Sequence, residues 1–252
     1  MRRIGMRLGI LMTAALATVL WAASPQGTAA PLDLLIVNGR VIDGTGSPWY
    51  HADIGIRAGR IAAIGRLGGA AAGRTIDAGG MVVAPGFIDM LGQSEMTVLV
   101  NPQLPSKIFQ GITTEFTGEG GSPAPLSKAL IQTDRVSFAH FQIKPDWRTY
   151  REYFARLERQ GIGINMGMYV GATQVRRVVL GDVNRAPSSD ELERMKGLVR
   201  DAMRDGAVGL STSLQYAPAP YASTEELIAL AAEAGELGGL YATHTTTGVT
   251  RR

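Results

Sequence analysis

From residue 112 to residue 244, short apolar runs alternate with amphipathic segments that carry their own start and stop signals. Residues 112–117 read as a strand. Trp147 is followed by Tyr150, Tyr153, Phe154 and Leu157 at helical spacing, which predicts a helix over residues 147–159. Residues 162–170 are apolar and strand-like. Ser188 with Glu191 fits a capping box, in which each side chain satisfies a backbone donor orphaned at the helix start. Leu192, Met195, Leu198, Val199, Ala202 and Met203 form the stripe that follows, and Gly206 ends it. Residues 207–211 then read as a strand. Ser223 with Glu226 opens a further helix to about residue 237, Gly238-Gly239 stops it, and residues 240–244 return to strand. Strands joined by helical crossovers pair in parallel, so the class is α/β. The rhythm alone fits a doubly wound sheet or a (β/α)8 barrel equally well.

Residues 32–77 have a different texture. Leu34 to Val37 lead through Asn38-Gly39 into Val41-Ile42, and Asn-Gly between apolar runs signals a hairpin because both residues accept positive φ. Asp53 to Ile56, Ala58-Gly59 and Ile61 to Gly65 predict a second hairpin. Arg74 to Asp77, Gly79-Gly80 and Met81 to Val83 predict a third short pair. Together they predict a small antiparallel sheet. The texture changes at Ala84-Pro85-Gly86-Phe87-Ile88-Asp89.

The formal charge of +3 owes everything to Arg2, Arg3 and Arg7; without them 22 basic residues face 22 acidic ones. Such a balance argues for no nucleic-acid surface. The absence of cysteine excludes thiol catalysis and thiolate metal ligands. The same three arginines precede an uncharged apolar run over residues 8–23, and Thr28-Ala29-Ala30 offers the small residues of a cleavage site before Pro31. This layout predicts a secretory signal over residues 1–30 and an exported chain, periplasmic or secreted, with no membrane attachment after cleavage. The run is short for a spanning helix.

The order of parts resembles the amidohydrolase superfamily: a short β segment, the Pro85-Gly86-Phe87-Ile88-Asp89 run, then a βα series. Gly206 to Tyr216 with Thr224-Glu225-Glu226, Tyr241-Ala242-Thr243-His244, Gly111-Ile112-Thr113-Thr114 and Ser122-Pro123-Ala124-Pro125-Leu126 are similar to its D-aminoacylase (N-acyl-D-amino-acid deacylase) branch. The resemblance implies a partial β-sandwich over residues 31–84 and the first portion of a (β/α)8 barrel of the TIM type over residues 85–252. It also implies hydrolysis of non-peptide carbon–nitrogen amide bonds in a small N-acyl amino acid, assisted by one zinc ion. In that chemistry the metal polarises the carbonyl and acidifies a bound water.

Residue by residue, the resemblance makes His244 a strand-end metal ligand and Tyr216 a substrate contact; Tyr216 otherwise packs under the loop carrying Pro218 and Pro220. The branch has a cysteine in a Gly-Asn-Cys-Gly turn, where this sequence has Thr117-Gly118-Glu119-Gly120-Gly121, so Glu119 is the second metal candidate. His51, in the β segment, and His140, expected in a loop, match no family position. The family's first-strand His-x-His falls on Leu91 and Gln93, which departs from the pattern: leucine cannot ligate and glutamine is a poor zinc ligand. Glu95 lies close by as a further carboxylate. The family's catalytic Asp comes from a later strand, so the expectation is an incomplete active site and no catalytic residue within 1–252. The rival expectation is a non-catalytic remnant or binding protein that has lost its metal site.

Overall fold

The computed structural model describes residues 31–244 in two compact units that divide at Pro85 and Gly86. In the first unit β1 (Leu32–Val41) is the central strand of a five-stranded sheet. It pairs antiparallel with β2 (Tyr50–Arg57), which turns through Ala58-Gly59, both at positive φ, into β3 (Arg60–Gly65). That is the second hairpin the sequence predicts.

The first predicted hairpin is not formed. β1 runs straight through Asn38-Gly39, and its register against β2 shifts between Ile36 and Gly39. Asn38 sits at φ 59°, so the positive φ that suits a turn serves a bulge instead. The bulge is pinned: Asn38 N donates to Asp53 Oδ1 (3.1 Å) and Asn38 Nδ2 to Asp77 Oδ1 (2.9 Å). The third predicted pair is also absent. β4 (Ala72–Asp77) and β5 (Val82–Val83) do not pair with each other; both lie parallel to β1, on either side of its bulge. The sheet is therefore mixed rather than antiparallel. A small core of Val41, Ala52 and Ile54 lies on one face.

The second unit is a parallel sheet in strictly sequential order. Its strands are β6 (Phe87–Asp89), β7 (Ile112–Thr117), β8 (Asn165–Gly171), β9 (Gly209–Ser213) and β10 (Leu240–His244). The crossovers carry α1 (Thr97–Val100) and α2 (Pro105–Ile108), then α3 (Lys128–Thr133), α4 (Arg135–His140) and α5 (Tyr150–Gln160). Next come α6 (Ala172–Val179) and α7 (Ser189–Arg204), and finally α8 (Thr224–Glu236). Sequential order without a switch point is the arrangement of a barrel, not of a doubly wound sheet. The sheet is a curled half-barrel.

The capping boxes explain where the longer helices begin. Thr149 with Glu152 starts α5 and Ser188 with Glu191 starts α7, both reciprocally bonded. The Thr149 cap delays α5 past Trp147, which instead donates its indole N–H to Pro123 O at 2.8 Å. Two further boundaries differ from expectation: β9 occupies 209–213 rather than 207–211, and His140 closes α4 rather than lying in a loop. The core lies between sheet and helices, where Met168, Val170 and Leu210 meet Val175, Met195, Val199 and Leu230.

Candidate active site at the strand ends

The C-terminal ends of β7 and β10 bring two side chains together across more than a hundred residues. Glu119 follows β7 in the turn Gly118-Glu119-Gly120-Gly121, and its Oε1 lies 2.5 Å from Nδ1 of His244, the last residue of β10. The Glu119 side chain is largely but not fully buried, and that of His244 is partly exposed. His244 is in register with Ser213, and residues paired across a parallel ladder project to the same face.

The turn that carries Glu119 is held by its glycines and by β9. Gly118 and Gly120 have φ of 97° and 67°. A Cβ on Gly118 would lie 2.4 Å from Tyr169 O, and one on Gly120 within 2.9 Å of the Ser213 backbone. Ser211 fastens the turn from below: its hydroxyl donates to Gly118 O and accepts from Gly120 N at 3.0 Å. No side chain in the sequence motif announces that clamp.

The loop after β6 supplies the opposite side. Gly92 N donates to Phe116 O at 2.7 Å, and Ser94 N to the fully buried Glu115 Oε1 at 3.0 Å. Gln93 Nε2 then reaches Glu119 Oε2 at 3.5 Å. Glu95 accepts a short hydrogen bond from Thr117 Oγ1, and its backbone carbonyl accepts from Tyr153 Oη. Burial raises the Glu95 pKa above the usual carboxylate range, and the nearby Glu115 and Glu119 push it the same way. Leu91 is half exposed and makes no part of this arrangement. Behind the loop, Lys107 bonds Asp89 (2.7 Å) and neighbours Glu115 (3.5 Å); its hydrogen bond holds Asp89 below the usual carboxylate range.

Gln93, Glu95, Glu119, Ser213 and Tyr216, among others, line a cavity of about 380 Å³. Tyr216 is 65% exposed at its mouth, so it does not pack beneath the proline loop. The buried Ser213 Oγ has no hydrogen-bond partner among the described residues. His51 lies in β2 of the first unit and His140 at the end of α4. Sequence reasoning missed Ser213 as a cavity group; its position at the end of a strand, two residues past Ser211, is the signal that marks it.

A metal fits this site only in part. A zinc site uses three or four protein donors, and among the described residues no three His, Cys, Asp or Glu side chains converge. Glu119 and His244 are a converging pair, one corner of such a site rather than the whole.

Sequential parallel strands with ligand-type side chains at their C-terminal ends are shared with the chain's structural neighbours, which are amidohydrolase-type. In sequence the chain is strongly similar to D-aminoacylases and N-acyl-D-amino-acid deacylases. It is 38% identical over 225 residues to a D-aminoacylase of Alcaligenes xylosoxydans xylosoxydans, a match that covers 87% of this chain and 45% of the relative. A solved N-acyl-D-glutamate deacylase from Bordetella bronchiseptica, complexed with zinc and a phosphonate inhibitor, superposes with a TM-score of 0.75. It is 38% identical, with 85% of this chain and 45% of that one covered. A D-aminoacylase structure concerned with a binuclear metal centre gives a TM-score of 0.76 at 36% identity, covering 84% and 45%. A family model for the N-terminal domain of the urease alpha-subunit matches residues 19–87. The chain thus spans a little under half the length of the curated relatives it matches.

Proposed function

We propose that the chain forms part of a hydrolase that cleaves the non-peptide carbon–nitrogen bond of small N-acyl amino acids, in the manner of an N-acyl-D-amino-acid deacylase. The observation that carries this reading is the Glu119–His244 contact at strand ends, with Glu119 also lining a cavity, in a chain similar to enzymes bearing those names. A zinc ion held by Glu119 and His244 would supply Lewis-acid polarisation of the amide carbonyl and a more acidic water. The remaining roles fall to this chain's own side chains. Gln93 orients Glu119 through its amide. Ser213 offers an unpaired hydroxyl to a polar atom of the substrate, and Tyr216 borders the entrance. No residue of the chain is assigned as the general base.

The test is metal binding by the full chain, followed by zinc titration and by metal content after dialysis. Bound zinc that is lost in both Glu119→Ala and His244→Ala supports the reading. A non-catalytic protein that has lost its metal gives the opposite result: no retained zinc, and no change on either substitution. Export by a signal over residues 1–30, which lie outside the described residues, belongs to the same proposal; cell fractionation that leaves the uncleaved chain in the cytoplasm would overturn that part. Among the described residues no helix is long and apolar enough to cross a membrane.

A further inference from the structure

Among the described residues, four buried side-chain polar atoms have no hydrogen-bond partner: Glu115 Oε2, Glu119 Oε1, Arg176 Nε and Ser213 Oγ. Two of these residues have a counter-charge beside them, Lys107 at 3.5 Å from Glu115 and Glu226 at 2.6 Å from the Arg176 guanidinium. The other two line one cavity. Glu119 Oε1 has His244 Nδ1 at 2.5 Å without forming a hydrogen bond to it, and the Ser213 hydroxyl has no bond at all. Buried polar atoms are nearly always satisfied, so two orphaned oxygens in one cavity point to a ligand that both can hold.

The ladder between β9 and β10 decides which way Ser213 faces. Thr212 and Thr243 are paired, and their hydroxyls bond each other at 2.8 Å on one side of the sheet. Alternation puts the next pair, Ser213 and His244, on the other side. Ser211 shares that side, and its hydroxyl bonds Gly118 and Gly120, the two neighbours of Glu119. A Cβ on Gly120 would lie 2.7 Å from the Cβ of Ser213. A carboxylate oxygen, an imidazole nitrogen and a hydroxyl oxygen are thus gathered from the ends of β7, β10 and β9.

We propose that Ser213 is the third protein donor to a single divalent cation of zinc's class, completing the corner made by Glu119 and His244. The inference rests on the functional reading above, which gives the ion to Glu119 and His244 alone. Three protein donors leave one position open, the count of a catalytic zinc site. The hydroxyl can serve twice: a lone pair of its oxygen faces the cation, and its O–H stays free to donate to a substrate.

The sequence has no cysteine, so a thiol placed at position 213 is an unambiguous reporter. The experiment loads the full chain and its Ser213→Cys variant with cobalt(II), the spectroscopic stand-in for zinc, and reads the near-ultraviolet thiolate-to-cobalt charge-transfer band. The expected result is a band in Ser213→Cys that the unmodified chain lacks and that disappears when His244→Ala is added. Should the thiol not fit the buried site, Ser213→Ala decides: it is expected to bind zinc about tenfold more weakly, one decade in Kd. Cobalt bound by Ser213→Cys without the band, or zinc affinity unchanged in Ser213→Ala, overturns the inference and leaves the functional reading standing. A band that survives His244→Ala marks an adventitious thiolate site and also overturns it. No metal bound by the unmodified chain overturns the functional reading, and the inference falls with it.

Discussion

Gly92 has no room for a side chain: a Cβ there would lie 1.7 Å from Glu115 Oε1, inside the space of a fully buried carboxylate. The same carboxylate accepts from Ser94 N, so one buried acid both demands the glycine and sets the loop that presents Gln93 and Glu95. Gly92→Ala is expected to destabilise the protein by about 1–3 kcal/mol, the usual cost of forcing extra volume into a packed interior; denaturant unfolding with a fixed m-value would measure it. Glu115 is one residue of a strand in sequence, and nothing nearby marks it as special. His244 and Glu119 were legible because the order of short motifs fixes their places at strand ends. Ser213, Gln93 and Glu95 were not legible as neighbours. Their proximity is made by backbone bonds from Gly92, Ser94 and Gly120, which belong to no side-chain pattern.

The helices were most legible where their starts are local chemistry. Ser188 and Glu191 need only each other, and the structure forms the box the sequence predicts. Ser188→Ala is expected to cost about 1 kcal/mol, read as a drop in thermal midpoint. Glu191 is also bonded by Arg185, whose hydrogen bonds first, and the Ser188 backbone second, lower its pKa to about 2. A carboxylate depressed on folding contributes stability that is present above its ordinary value of 4.5 and is lost as pH falls toward 2. Glu191→Gln should therefore differ from the parent at neutral pH and converge on it in strong acid, as urea midpoints across that range would reveal. α6 was missed for the converse reason: it follows β8 directly from Gly171, with no side-chain cap to announce it. Its Arg176 is buried against Glu226 of α8 at 2.6 Å and bonds the carbonyl of Arg185 at 2.6 Å. Glu226→Ala leaves that guanidinium buried without its counter-charge and should destabilise the fold by about 3–5 kcal/mol, visible in equilibrium unfolding. The strands of the first unit were the least legible, since β4 and β5 take β1 as partner across some forty residues, and the Asn38 bulge mimics a turn.

At the scale of the whole molecule, the parallel sheet keeps two open edges, β6 and β10, among the described residues. Phe87, Ile88, Leu240 and Tyr241 on those strands are each more than half exposed. Apolar edges of this kind invite pairing and association. The chain on its own is expected to bind a hydrophobic dye in its folded state and to gain mass with concentration; a strictly monomeric, dye-negative chain in sedimentation and fluorescence would contradict this. The (β/α) order was legible from rhythm, whereas the choice of barrel over doubly wound sheet came from the resemblance, since rhythm does not say which strands are neighbours; the sequential strand order bears it out.

The hydroxyl of Ser211 bridges Gly118 and Gly120 from 91 to 93 positions further along the chain. That span gives the clamp a timetable. During synthesis β7 and its glycine turn emerge well before Ser211 exists, and closing so long a loop is entropically slow compared with forming local helices. Glu119 is therefore expected to acquire its final bearing only once β9 has docked, which hydrogen-exchange protection of Gly120 N during refolding would report. A nascent chain that stops short of that strand would hold the carboxylate without its anchor, which makes the assembly of the site a late event in folding rather than a property of the turn that bears it.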